Sequence, residues 1–295
     1  MEPYRPDRRS PKRGLLATFG LAGVSGGLVA ALLSSLSLWV YLPGLLAAGI
    51  GLAAAGGAIA GARWGKVRGA KAAFWVAAIA GLGSYGLFHV TNFGRFRQAA
   101  LAEIAQQLDP AESHRQAEFL GEFLRENVGA AGIWGYLRLV AQEEVAGLVP
   151  GRPSFRLFLN PWVVWSLEAI VAASIAGLGG YWQAVGLFSV QTNAWFVKPR
   201  RLGYTSDPLA LSLLAPDRLA SFQEALQPHR PTTQTYWVAY LWRSPDDHPQ
   251  VYCLEVVRRQ RFPGQPGSWA VVCCALLAPA EAEVLAASQS PNSGP

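Results

Sequence analysis

Charge is what this sequence lacks. Asp, Glu, Lys and Arg make up 15% of its 295 residues, where a soluble domain carries roughly 25%. The deficit is concentrated, and that excludes an ordinary soluble protein. Gly14 to Ala62, 49 residues, holds no charged side chain. A bilayer-spanning helix needs about 20 apolar residues, so this run predicts two spans joined by a turn at "YLPG" (Tyr41 to Gly44). Ala72 to Gly94 supplies a third span and Trp162 to Val185 a fourth. Cysteine is also scarce. Cys253, Cys273 and Cys274, an odd number with two adjacent, exclude a disulfide framework and read as reduced structural thiols. Cys273 and Cys274 would alternate faces on a strand and so would not share a metal. Of the four histidines, His114, His229 and His248 sit in polar surroundings without ligand spacing. There is no HExxH, GxSxG, phosphate loop or dinucleotide fingerprint. The sequence therefore predicts no catalytic site, no metal and no cofactor.

The charges that are present have a pattern. The net charge of +6 comes from basic clusters at the ends of the spans. Arg5, Arg8, Arg9, Lys12 and Arg13 precede the first; Arg63, Lys66, Arg68 and Lys71 separate the second and third; "KPRR" (Lys198 to Arg201) follows the fourth. Gly94 to Asn160, by contrast, balances seven Arg against eight Asp or Glu. The positive-inside rule puts all three clusters and both termini in the cytoplasm and the balanced segment outside. The uncharged run continues past any signal-peptide cleavage site, which favours a retained first span. Arginine outnumbers lysine 21 to 4, a composition that points to a GC-rich, bacterial source and hence to the inner (plasma) membrane.

The expected architecture is an α-helical polytopic membrane protein with four transmembrane helices, a helical extracytoplasmic insertion and a small α+β C-terminal domain. Residues 1–13 form a basic cytoplasmic tail, and the first three spans lie at about 15–38, 44–62 and 72–92 within 14–94. The outer segment is 95–160, the fourth span 161–186, the cytoplasmic module 187–288 and the disordered tail 289–295. Trp39 and Tyr41, then Trp162 and Trp165, mark the outer interface; Trp64, Trp75, Tyr181 and Trp182 mark the inner one. Small residues recur every four positions, as in Gly49, Ala53, Gly57 and Gly61 of the second span. That spacing lets backbones approach closely in lipid, either within a bundle or at an oligomeric, glycine-lined interface. After "KPRR", "DPLALSLLAPDRLASFQEAL" reads as helix. Three β-rich runs follow ("QTYWVAYLW", "QVYCLEVVRRQRF", "SWAVVCCALL"), then a closing helix in "APAEAEVLAAS".

Two features invite a functional reading. Glu168, the one carboxylate in any span, must face protein or water there or be protonated. His89 falls at similar depth on the third span. The two form a candidate intramembrane polar pair, either an ion or proton site or a buried tie between helices. The loop with Arg63, Lys66, Arg68 and Lys71 suits anionic lipid headgroups, a docking partner, or topology alone. "RRQR" (Arg258 to Arg261) lacks a stacking motif, and no nucleic-acid partner is expected.

The hairpin of the first two spans, "GKVR" (Gly65 to Arg68) and "WSLE" (Trp165 to Glu168) together resemble an uncharacterised group of bacterial four-span membrane proteins with a cytoplasmic C-terminal module. That resemblance implies two C-x-x-C pairs holding zinc in the module. This chain has Ser189 and Thr192, then Ser244 and Asp247, at those positions, so the resemblance implies that the metal has been lost. The resemblance supplies no activity. Much interaction surface and no catalytic constellation lead to the expectation of a non-enzymatic scaffold or interaction subunit whose partners are membrane lipids and other membrane proteins, or itself as an oligomer. The alternative is a small transporter or channel using Glu168.

Overall fold

The structure is a computed structural model and describes residues 2–4, 9–36, 44–107, 115–146, 160–189, 192, 194–245, 250–262 and 265–287. They fall into two compact units, Arg8–Val185, and Met1–Asp7 with Gly186–Pro295. Expectations resting on Trp39, Tyr41, His114 and Asp246 to His248 lie outside the described residues.

The first unit holds four helices long and apolar enough to cross a membrane: α1 (Lys12–Leu36), α2 (Leu45–Trp64), α3 (Ala70–Gln107) and α6 (Pro161–Ala184). Two shorter helices, α4 (Gln116–Val128) and α5 (Gly132–Ala146), lie between α3 and α6. Helix α1 packs on α2 and α3, α6 packs on the same two, and α2 meets α3 less extensively. The bundle is built inside out. Many of its buried residues are small: Ala22 and Ala30 of α1, Ala47, Ala54 and Ala58 of α2, Ala73 and Ala77 of α3, Ala172 and Ala176 of α6, with Leu46, Ile50, Tyr85, Phe88 and Trp165 the larger exceptions. Large residues point outward, among them Leu28 and Leu32, Leu52, Ile79, Leu167 and Ile170. Water-soluble cores invert that order, whereas in lipid the outward leucines cost nothing and close backbone contact holds helices together.

The sequence sets how near the helices come. A Cβ added at Gly57 would run into Leu21 O and Ser25 Oγ of α1, and one at Gly61 would sit 2.6 Å from Thr18 Cα. Ser25 Oγ donates to Ala53 O of α2 at 2.8 Å as well as to Leu21 O in its own helix. The α2–α6 contact is as close, with Gly51 against the Ala172 backbone and Gly179 against Ala55. Helix α3, 38 residues and so about 57 Å at helical rise, outruns the roughly 30 Å hydrocarbon layer. Its far half meets α5 through Tyr136, whose ring lies 5.7 Å from Phe93 and 5.1 Å from Phe96. Leu120, Leu124 and Val128 form the buried stripe of α4, which ends at Gly129 in the left-handed conformation.

The second unit is a five-stranded antiparallel sheet ordered β1-β7-β6-β5-β4. The strands are β1 (Glu2–Pro3), β4 (Val197–Thr205), β5 (Thr235–Arg243), β6 (Tyr252–Phe262) and β7 (Gln265–Leu277). A two-residue pair, β2 (Phe188–Ser189) with β3 (Ala194–Trp195), lies between β1 and β4 in the chain. Helices α7 (Leu219–Glu224) and α8 (Pro279–Ala287) contribute Leu219, Phe222, Ala282 and Leu285 to a core with Leu202, Leu241, Leu254 and Val256.

Three features differ from the expectation. "KPRR" is part of strand β4, because Pro and basic residues suit an edge strand that pairs on one side only. "DPLALSLLAPDRLASFQEAL" is broken into 3-10 turns at Pro208–Leu213 and Pro216–Arg218 before the short α7, since each Pro removes a donor and disfavours helix before it. The basic N-terminal tail is more than a tail. Glu2 and Pro3 pair with Leu276 and Ala275, and the Tyr4 hydroxyl donates to Phe188 O and accepts from Phe188 N.

The α1–α2 contact yields a paired test. Gly57→Leu should lower stability by roughly 1–3 kcal/mol or unseat α1, while Gly56→Leu, at a site with nothing within 4 Å, should stay near wild type. Thermal unfolding in detergent micelles reads both, and equal effects would contradict the packing described.

Candidate functional site

Glu168 is buried in the first unit, and its carboxyl group has two partners on two other helices. Oε1 accepts from the Gly44 backbone N–H at 2.6 Å, and Oε2 accepts from the Tyr85 hydroxyl at 2.6 Å. Gly44 is the N-cap of α2, in the left-handed region with φ 81°, where glycine is the residue that fits without strain. The first amides of a helix lack intrahelical acceptors and carry partial positive charge. The α6 carboxyl group serves the Gly44 amide, and through Tyr85 it also fastens α3.

His89 lies one turn beyond Tyr85 on α3. Its ring packs edge-on to Tyr85 at 5.0 Å and to Phe88 at 5.3 Å, and tilted on Trp165 at 5.4 Å. Trp165 in turn meets Trp162. Glu168 and His89 therefore belong to one polar-aromatic cluster in which Tyr85 touches both. Sequence reasoning missed Tyr85 and Gly44. The available signal was the four-residue spacing of Tyr85 and His89, which puts both on one helix face.

The basic loop is ordered by the backbone. Gly65 N–H donates to Gly61 O, and Val67 N–H to Ala62 O. Arg68 N–H donates to Arg9 O at 2.9 Å, joining the loop to the residues before α1. Lys66 occupies the left-handed region at φ 52°, and Val67 is buried beside Ala62, Ala73 and Ala184. Arg63 and Lys71 are exposed. Trp64, Trp75 and Trp182 stand out near this end, each more than 60% exposed, as interfacial tryptophans do. The stripe Gly49, Ala53, Gly57 and Gly61 faces α1, where Leu33 is its neighbour at Gly49.

In the second unit Ser189, Thr192 and Ser244 are buried. Ser189 Oγ accepts from Thr192 N–H at 3.2 Å between β2 and β3, and Ser244 Oγ accepts from Val251 N–H at 3.0 Å. Val197 is in register with Arg243, so the topology brings both turns to one end of the sheet. Hydroxyl oxygens there bond backbone amides, a role open to thiolates in a metal-binding turn. Among the described residues no group of three His, Cys, Asp or Glu side chains is placed to hold a metal. Cys253 Sγ and Cys274 Sγ lie 3.1 Å apart, whereas Cys273 packs against the sheet core.

The chain matches no family model, no curated protein and no solved structure with which it was compared.

Two predictions follow from these contacts. Glu168→Ala strands the Gly44 amide and the Tyr85 hydroxyl, so it should cost about 2–3 kcal/mol of stability in detergent. Tyr85→Phe should cost about 1 kcal/mol, and a Glu168→Ala protein as stable as wild type would refute the tie. The thiols supply a pH test. The bond to Cys253 and burial push the Cys274 thiol up, and burial followed by the neighbouring Cys274 raises Cys273. Both stay protonated at pH 8, so a thiolate-specific reagent should react slowly with the folded chain and much faster once it is denatured. Equal rates would contradict the Cys253–Cys274 contact.

Proposed function

We propose that this is a multi-pass membrane protein of the bacterial inner membrane that acts as a non-enzymatic scaffold or interaction subunit. The four spans form a rigid anchor that holds a helical segment on the outer side and the sheet module on the cytoplasmic side. The observation that carries this reading is the use made of Glu168. Of the two roles open to it, an ion or proton site or a tie between helices, its bonds to the start of α2 and to Tyr85 favour the tie, which links α2, α3 and α6. A carboxyl group so placed suits a static frame better than a transported ion's binding site.

Two further features support the orientation. The basic residues of the α2–α3 loop lie beside Arg9 through the Arg68–Arg9 bond, which concentrates positive charge at one end of the bundle, as the positive-inside rule asks. Glu2 and Pro3 pair with the last strand of the sheet, so the N-terminus and the C-terminal module share a side. Partners of the module and of α4–α5 would be other membrane proteins or a second copy, and the basic loop would meet anionic lipid headgroups.

Topology is the first test. In a chain whose native cysteines are alanine, single cysteines at Glu126 of α4 and at Asp217 should label from opposite faces of intact membrane vesicles. Labelling of both from one face would overturn the arrangement. For the transporter alternative, liposomes carrying wild type or Glu168→Gln should show the same background ion flux. A flux present in wild type and abolished in the variant would overturn the scaffold reading.

A further inference from the structure

The sheet of the second unit has one face covered by α7 and α8, and the other carries an ordered row of cations and rings. Tyr236 of β5, Arg259 of β6 and Trp269 of β7 are cross-strand partners in one line. The Arg259 guanidinium lies over the Trp269 ring at 5.9 Å. Arg230 lies over Tyr236 at 4.9 Å. Tyr204 of β4 tilts against Tyr236 at 6.1 Å, and Arg201 covers Tyr204 at 5.1 Å while donating to its hydroxyl at 2.7 Å. Three guanidinium groups are thus held in place by aromatic rings instead of by carboxylates, and none has an ion pair among the described residues. Their charge is left available to an outside anion.

Apolar surface stands beside it. Trp269 is 64% exposed and Val271, two residues along the same face, 47% exposed. The stretch from Val256 to Ala278 contains no Asp or Glu. An exposed tryptophan and valine next to fixed arginines is the composition of a surface that enters the headgroup layer of an anionic membrane. We propose that the end of this sheet face that carries Tyr204, Arg259 and Trp269 docks on anionic phospholipid, with Trp269 and Val271 inserted and Arg201, Arg230 and Arg259 on the phosphates. The middle of the face, at Val238 and Val257, is buried. The proposal rests on the reading that the four helices span a membrane, because their covalent link to the module then keeps bilayer at high effective concentration. It is distinct from the basic loop, which lies in the other unit. Nucleic acid is the lesser fit: Tyr236 is buried and so offers no face for a base to stack on.

The test uses the full chain in lipid nanodiscs, with photoreactive benzoylphenylalanine replacing Trp269 in one sample and Val271 in a second. Discs of phosphatidylcholine alone are compared with discs that also contain phosphatidylglycerol. Lipid adducts should form at both positions in the anionic discs and fall in the neutral ones. Each of Arg201→Gln, Arg230→Gln and Arg259→Gln should weaken docking roughly fivefold, the factor that corresponds to about 1 kcal/mol per basic residue. Equal adduct yield in both lipids, no adduct, or cross-links to a second copy or to added RNA in place of lipid would overturn the proposal. Benzoylphenylalanine at Ile170, on the outward face of α6, separates the two claims. Loss of lipid adducts there counts against spanning, while adducts at Ile170 without any at Trp269 or Val271 count against docking alone.

Discussion

The bundle depends on how near its helix backbones can come. In hydrocarbon no hydrophobic effect gathers helices, because lipid tails are as apolar as leucine. Dispersion falls off steeply with distance, so cohesion needs short range, and short range needs small side chains. Gly57 against Leu21, Gly51 against Ala172 and Gly179 against Ala55 supply it. The same constraint sends Leu28, Leu52, Ile79 and Ile170 outward, where lipid accepts them. A water-soluble bundle with this many outward leucines and isoleucines would have a sticky surface.

The second requirement of that solvent is that every polar group be met inside the protein. The start of α2 presents amides that no residue of α2 itself can serve. Glu168 meets one of them from α6, and Tyr85 of α3 donates to the other oxygen of its carboxyl group. A charge that looks out of place in an apolar helix is thereby explained by a helix end elsewhere in the fold. Its neighbour His89 lies within the same cluster of rings.

Legibility from sequence followed the range of the interaction. The four spans were readable because hydropathy is summed over about 20 residues and needs no partner. Strands β5, β6 and β7 were readable from β-rich runs with turn signals between them. Strand β4 was not, because "KPRR" carries a charge signature that drowned its edge-strand character, and β1 is too short to carry any pattern. The break in the helix read over 207–226 is written in Pro208 and Pro216, which the apolar periodicity around them masks. At the candidate site, Glu168 and His89 were visible as exceptions in apolar helices. Their link through Tyr85 was not, because Glu168 and Tyr85 are 83 positions apart in the chain and only helix packing brings them together. The pairing of Arg259 with Trp269 was hidden in the same way, since it depends on the register of β6 with β7.

The four-helix unit turns its leucines and isoleucines outward and many of its alanines inward, a packing suited to lipid. The most direct measurement is labelling of the protein in membranes by a carbene precursor dissolved in the hydrocarbon layer, with labelled residues identified by mass spectrometry. Label is expected on Leu28, Leu52, Ile79 and Ile170 and none on Ala22, Ala58, Ala77 or Ala172. Label spread evenly around each helix, or confined to one of the four, would contradict it.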